Sequence, residues 1–393
     1  MNPSSNLKIL IIHTKYDQAG GEDTVVNQEH ILLGKKYVVE LLYFQNKTGF
    51  KGALQFLFSI WNVKSARRVR TKIKDFKPDV VHLHNFHFAS GPLIIRAIKK
   101  MGVPLVQTIH NYRLLCPSAI LLHNNQLFLD SLQQKFPWSA VMNKVYRNSR
   151  LLTFWIAFIY WFHKKINTFN KVDTYLCLTE FSKNLLQQAS LNIPADRFKT
   201  KPNFTIANIR TDSYIRGQHF LFIGRLSSEK GIEILLKAFE NSTTKLKIAG
   251  DGPLKNIVQE KAKKNSNIIY LGAIPSQEVK RELSMAQALV FPSIWYEGMP
   301  MTILEAFSNK TPIIASNLGA MSTMIINDVN GLHFEAGNSN ALKTKIDQWS
   351  NFTKIEKETM QNNAFINYQQ LYSEEQQMSY FNEIYNTVIK SES

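Results

Sequence analysis

Ser293-Ile-Trp-Tyr-Glu297-Gly298-Met299-Pro300-Met301-Thr302-Ile303-Leu304-Glu305-Ala306-Phe307 sets two carboxylates on either side of a loop that turns into a helix. Proline suits the first helical position, where its missing N–H would lack an intrahelical partner anyway. Pro300 is therefore expected there, with Glu297 in the loop and Glu305 inside the helix. Free backbone N–H groups and a positive dipole end would then lie beside an acidic side chain, a site for an anionic or polyhydroxyl ligand. A second reading makes the pair the acid and nucleophile of a glycosidase, which needs carboxyls about 5–10 Å apart. An unbroken helix would separate them by about 12 Å. The loop break leaves both readings open.

Apolar strands expected at 288–291 and 312–315 bracket this stretch, and the same grammar runs outward in both directions. Further strands are expected at 219–223, 245–249 and 268–271, with helices at 232–240, 253–263, 277–286, 300–308 and 341–349. In the first half, strands are expected at 7–13, 38–44, 79–84, 103–110 and 173–178, with helices at 22–33, 91–100 and 180–189. Short apolar strands alternating with helices indicate an α/β fold with parallel, doubly wound sheets. At 393 residues the chain exceeds what a single core supports. Two Rossmann-like domains facing a cleft are expected: residues 1–204 on the acceptor and membrane side, a linker at 205–217, and residues 218–370 for the nucleotide. The tail at 356–390 reads as helical, and its end, 371–393, is expected to pack back toward the first domain. Open α/β sheets bind ligands beyond the carboxyl ends of their strands.

Hydrophobic residues make up 44% and charged ones 20%, ordinary for a globular protein and no indication of disorder. Cys116 and Cys177 provide no disulfide framework and no metal-ligand spacing, as in a reducing compartment. The polar start and the short apolar run at 9–12 do not form a signal peptide, so a cytoplasmic protein is expected. Residues 1–210 hold 29 Lys and Arg against 11 Asp and Glu, whereas residues 211–393 hold 18 against 19. The excess charge thus sits in the first half, suited to an anionic membrane or substrate. No basic run is interleaved with a nucleic-acid motif, and no nucleic-acid partner is expected.

Residues 151–162, Leu-Leu-Thr-Phe-Trp-Ile-Ala-Phe-Ile-Tyr-Trp-Phe, are apolar on every face between Arg147, Arg150 and His163, Lys164, Lys165. Twelve residues cannot span a bilayer, which needs about 20. The segment is either a buried helix or an interfacial one, the latter favoured by its Trp and Tyr content and basic flanks. Residues 56–61 form a shorter run of the same kind, for which a packed helix is the equal or better reading.

Gly224-Arg225-Leu226-Ser227-Ser228-Glu229-Lys230-Gly231 follows a strand and opens a helix, bringing two cations to a helix start as a diphosphate requires. Taken alone, such cations are usually solvated. Ala249-Gly250-Asp251-Gly252-Pro253 is most simply a tight turn. His82 and His84 would share one face of a strand, with His87 nearby, but no third ligand has zinc spacing, and a structural or acceptor-cleft role is preferred. No metal is expected.

These segments, together with Phe291-Pro-Ser293 and the Glu297-x7-Glu305 pair, resemble the retaining glycosyltransferases of family 4, also called group 1, which have the GT-B fold. Gly20-Gly21-Glu22, Asp79-Val-Val-His-Leu-His84 and His110-Asn-Tyr-Arg-Leu-Leu-Cys-Pro117 resemble the same family, while Tyr146-Arg-Asn-Ser-Arg150 and Lys201-Pro-Asn-Phe204 resemble a bacterial subgroup. The resemblance implies that Arg225 and Lys230 hold the diphosphate of a nucleotide-sugar without a metal or cofactor. It implies that Glu305 accepts from the ribose and that Glu297, Gly298 and Met299 meet the donor sugar. His110 would approach the transferred sugar, and Gly20 and Gly21 would let their loop come close to phosphate and acceptor. Gly319-Ala320-Met321-Ser322-Thr323 lacks the second Gly and the Glu usual there, Asn309-Lys310 replaces a small residue, and only Cys116 stands where the subgroup often has more cysteines.

The expected function is therefore hexosyl transfer, with retention, from a nucleotide-sugar to a glycan or lipid-linked acceptor in surface polysaccharide or lipopolysaccharide synthesis. The enzyme would be peripheral on the inner face of the plasma membrane. The alternatives are a nucleotide-sugar epimerase of the same fold and a non-catalytic nucleotide-sugar-binding module.

Overall fold

The computed structural model describes residues 7–15, 20–206 and 216–390. Two compact units emerge: residues 1–120, 129–203 and 377–393 form one, and residues 121–128 and 204–376 the other.

The first unit is built on β1 (Lys8–Lys15), β2 (Val38–Gln45), β3 (Val80–Leu83) and β4 (Leu105–Ile109). After a hairpin of β5 (Leu122–His123) and β6 (Gln126–Leu127), which clusters with the second unit, come β7 (Thr174–Cys177) and β8 (Phe198–Thr200). Its sheet runs β2-β1-β3-β4-β7-β8, all parallel. Ile9, Leu10, Ile11 and Ile12 are completely buried, as a central parallel strand covered on both faces requires. The order reverses between β1 and β3.

The second unit contains β9 (His219–Ile223), β10 (Lys245–Ala249), β11 (Ile268–Gly272), β12 (Leu289–Phe291), β13 (Ile313–Ser316) and β14 (Gly331–Phe334). These parallel strands run β11-β10-β9-β12-β13-β14, the order of dinucleotide-binding folds. Phe220, Phe222, Ile248, Val290 and Ile314 form its core with Leu235 and Trp349 from the flanking helices. Here the order reverses between β9 and β12. The loops after those two strands are where the topology directs a ligand, and they carry Arg225, Lys230 and Glu297.

Several expectations change. Helix Met301–Ser308 starts one residue later than expected: Pro300 is its extended cap, at φ −70° and ψ 116°. Strands β8 and β14 lie outside the expected set. The tail is two helices, Lys354–Leu371 and Glu374–Lys390. Ser373 separates them, its hydroxyl donating to Gln369 O at 2.9 Å and accepting from Gln376 N at 3.3 Å. Most of the linker, residues 207–215, lies outside the described residues.

The aromatic segment becomes the helix Arg150–Lys165, neither wholly buried nor projecting. Thr153, Ile156, Ala157, Ile159 and His163 face inward, while Phe154, Trp155, Phe158, Trp161 and Phe162 are half-buried. Trp155 Nε1 donates to Phe56 O at 3.0 Å, and Trp61 stacks on His163 with centroids 5.9 Å apart. The preference for a packed helix around 56–61 fails in part. Helix Gly49–Phe58 has no buried residue and leaves Phe50 79%, Leu57 50% and Phe58 62% exposed. Among the described residues no helix is long and apolar enough to cross a membrane.

Candidate active site

In the second unit, β9 leads into Gly224 and Arg225, a single 3-10 turn at Ser228–Lys230, and Gly231 before helix Ile232–Ala238. The expected helix start at the cations is thus a tighter turn, with the α-helix delayed past Gly231. Gly231 has φ +73°, and a Cβ there would lie 2.0 Å from Pro292 O. Only glycine lets the loop after β9 run this close to the loop after β12. Ile294 N donates to Glu229 O at 3.0 Å, fastening the two.

This approach brings Lys230 and Glu297 together. Glu297 Oε1 accepts from Lys230 Nζ at 2.6 Å, from Ser293 Oγ at 2.5 Å and from Trp295 Nε1 at 2.8 Å. Glu297 is 5% exposed, so these partners are what make a buried carboxylate tolerable. The Lys230 ammonium also lies over the Trp295 and Phe291 rings, at 5.4 and 5.6 Å. An ammonium has three donors, and Glu297 uses one. Arg225 is exposed, and its guanidinium has no hydrogen bond or ion pair among the described residues.

Glu305 sits in helix Met301–Ser308, partly buried, and burial raises its carboxyl pKa while Lys280 opposes the rise. The carboxylate has no hydrogen-bond partner among the described residues. Gly298 is half-exposed and Met299 is buried. The turn reading of Gly250 also has a steric basis: at φ +143° its Cβ would lie 1.9 Å from Gly224 O.

In the first unit, His110 follows β4 and lines a small cleft with Glu22, His84, His87, Asn111 and Arg113. Burial, then the neighbouring His84, holds its pKa well below the usual histidine value, so the ring is neutral. Gly20 caps helix Gly21–Gly34, its N–H donating to Asp23 Oδ2 at 3.0 Å. Nothing lies within 4 Å of a Cβ placed on Gly20 or Gly21, so the protein's own packing does not demand glycine at either. Asp23 Oδ1 is 2.9 Å from His13 Nε2. Burial and then Asp23 push Glu22 up to about 8, which keeps a protonated carboxyl at this helix start near neutral pH.

Sequence reading missed the residues behind these. Ser293 and Trp295 stand inside the quoted stretch, yet nothing in their spacing says that they hold Glu297. The third group missing beside His82 and His84 is Glu29, and ligand atoms of the three lie within 4.8 Å of one another. A cation already occupies that corner, because Lys201 Nζ is 2.5 Å from Glu29 Oε1. His82 is also satisfied, by Tyr385 Oη and Thr108 Oγ1, both at 2.8 Å.

Residues 210–365 match the model of glycosyl transferases group 1, and residues 45–205 that of glycosyltransferase family 4. An uncharacterized 42.6 kDa protein in the cps region of Klebsiella pneumoniae is 24% identical over 279 residues, 69% of this chain and 66% of that protein. The O-antigen chain mannosyltransferase C of Escherichia coli is 27% identical over 182 residues, 44% of this chain and 48% of that protein. The chain spans about half the length of the curated relatives it matches, with 34%, 52% and 66% for three of them. Among solved structures, Anabaena HepE in complex with UDP superimposes with a TM-score of 0.70 over 97% of this chain and 100% of that one, at 16% identity. That likeness carries the fold, two parallel-sheet α/β domains of the GT-B kind.

Proposed function

We propose that this chain, which belongs to the group 1 glycosyltransferases of family 4, moves a sugar from a nucleoside-diphosphate donor to a glycan or lipid-linked acceptor in surface polysaccharide or lipopolysaccharide assembly. The observation that carries this reading is the Lys230–Glu297 pair at the β9/β12 reversal, with Arg225, which has no partner among the described residues, in the same loop after β9. Breaking a glycosyl–phosphate bond builds negative charge on the leaving oxygens and positive charge on the sugar. Fixed cations at the phosphate side are the largest lever on such a transition state. Lys230 keeps two N–H donors beyond its bond to Glu297, and Arg225 offers a planar fork, so together they neutralise a leaving diphosphate without a metal. Glu305, whose carboxylate has no hydrogen-bond partner among the described residues, accepts from the ribose hydroxyls. The Glu297 edge and the Gly298 and Met299 backbone face the donor sugar.

Glu297 is thereby a poor nucleophile, since one of its oxygens already accepts three hydrogen bonds. This weighs against the glycosidase reading. Retention then follows from attack on the face that the diphosphate leaves, with the phosphate taking the acceptor's proton. The relatives in O-antigen and cps contexts support a surface-glycan acceptor. The exposed face of helix Gly49–Phe58 and the basic first half support binding at an anionic membrane surface.

Product analysis with and without acceptor tests the assignment. A transferase gives an α- or β-linked product matching the donor anomer only when the acceptor is present. An epimerase converts the donor alone, and a binding module leaves it intact apart from slow hydrolysis.

A further inference from the structure

Between Val80 and Val172 the chain carries eleven lysines and arginines and one acid, Asp130. Folding gathers part of that charge at one place in the first unit. The half-buried Arg113 guanidinium lies over the rings of Phe88 and Tyr146 at 5.8 and 5.5 Å, and the exposed Arg147 lies over the same Tyr146 at 5.6 Å. Two cations on one ring repel each other unless an anion joins them. Among the described residues neither guanidinium has an ion pair: Arg113 Nη1 donates to Pro117 O at 3.0 Å, and Arg113 Nε is buried without a partner. Glu22, the carboxyl that shares a cleft with Arg113, does not balance it, because burial and then Asp23 raise it to about 8 and keep it largely protonated at neutral pH. An exposed arginine alone says little. A half-buried one with an orphan N–H, beside a second and no ionised acid, suits the oxygens of a phosphate.

Tyr146 is tied to the start of helix Arg150–Lys165: its N–H donates to Thr153 Oγ1 at 3.2 Å, and Ser149 N–H donates to its carbonyl at 3.1 Å. The cations thus stand where the aromatic helix begins. Against the same helix lies an apolar pocket, lined by its Ile156, Ala157, Tyr160 and Trp161 and by Leu115 and Leu132. Arg113, Leu114 and Tyr160 form a wall common to this pocket and to the polar cleft that holds Glu22. At about 50 Å³ the pocket takes about four water-sized groups, the bulk of one isoprene unit. An anion site and an apolar pocket that share a wall fit an amphiphile whose charged head is joined directly to its chain.

We propose that this part of the first unit is a subsite for a phosphorylated lipid, with Arg113 and Arg147 taking the phosphate and the pocket along helix Arg150–Lys165 taking the first part of the chain. Naming that lipid as the acceptor rests on the transferase reading above. Its binding does not, and is testable without a donor.

Isothermal calorimetry on the intact protein, with no nucleotide-sugar present, compares geranyl phosphate below its micelle concentration with geraniol and with inorganic phosphate. Geranyl phosphate should bind about 100-fold more tightly than inorganic phosphate, through burial of its chain. It should bind about 10-fold more tightly than geraniol, through the charge-assisted hydrogen bonds. Arg113→Gln and Arg147→Gln should each weaken geranyl phosphate about 10-fold and leave geraniol unchanged. Ala157→Phe, which fills the pocket, should weaken geranyl phosphate and spare inorganic phosphate. Decyl phosphate separates the sources of such a lipid: tighter geranyl binding marks a prenyl chain, tighter decyl binding an acyl chain, and either supports the subsite. Equal binding of geranyl phosphate and geraniol, an affinity unchanged in Arg147→Gln, or binding only above the micelle concentration would overturn it. Arg147 is exposed, so that variant decides the matter even where Arg113→Gln fails to fold. A protein that binds geranyl phosphate yet transfers no sugar would keep the subsite and lose the transferase reading instead.

Discussion

Glu297 gathers three donors on one oxygen, and which of them matters to chemistry can be separated. Lys230 is the only charged one, and it alone can follow a leaving phosphate. Lys230→Ala is expected to lower kcat by about 10²–10³-fold; steady-state kinetics with a nucleotide-sugar would show turnover unchanged if the lysine merely balances Glu297. Arg225 and Lys230, like Glu297 and Glu305, were legible in the sequence as single residues with suitable chemistry. Their grouping was not. Lys230 and Glu297 are 67 positions apart, and Lys201 and Glu29 are 172 apart. Contacts at such separations are settled by strand order, which no local pattern encodes. His82 and His84 were read as structural or acceptor-cleft residues rather than metal ligands, but their spacing could not show the buried Glu29–Lys201 pair beside them.

At the scale of elements, the approach of the loops after β9 and β12 depends on Gly231. Any side chain there takes on a left-handed backbone at φ +73° and a clash with Pro292 O. Gly231→Ala should therefore cost at least about 1–2 kcal/mol in denaturant unfolding, with loss of activity in the remaining folded protein. A neutral result would mean that the loops are not held as described. Strands with long apolar runs, such as β1 and β9, were plain from sequence. β8 and β14 are three and four residues long, too short for a period to declare itself. The aromatic helix was ambiguous for a physical reason: its rings are half-buried against one another, a state between the two that the pattern offered. Its neighbour Gly49–Phe58 exposes Phe50, Leu57 and Phe58, and that face is where membrane binding belongs. Flotation with anionic vesicles should carry the protein up at low salt, and Phe50→Ser with Phe58→Ser should reduce it. Equal flotation of the variant, or none by the wild type, would withdraw the membrane reading.

Across the whole molecule, buried neutral histidines set the response to acid. Burial is the largest cause of the lowered pKa of His13, His82, His87, His110 and His163, with His13 and His163 brought to about 4. The unfolded chain takes up these protons below about 6.5, whereas the folded chain refuses them until well below that, near 4 for His13 and His163. Stability is thus lost as pH falls through that window. Glu22, raised to about 8, and Glu305, also raised by burial, have the opposite slope, but they are two carboxyls against these five histidines, to which the lowered His219 and His333 add. The urea midpoint should be lower at pH 5.5 than at pH 7.5, and a higher midpoint at pH 5.5 would contradict the buried, uncharged histidines.

The central claim is that the loops after β9 and β12 hold the diphosphate of a nucleotide-sugar through Lys230 and Arg225. Thermal unfolding with a panel of nucleoside diphosphates measures it most directly, since a ligand at 100 times its dissociation constant stabilises by about 2.7 kcal/mol. One or more diphosphates should raise the midpoint of the wild type, with the rise largely abolished in Lys230→Ala and Arg225→Ala. No shift in the wild type, or an equal shift in both variants, would contradict the account.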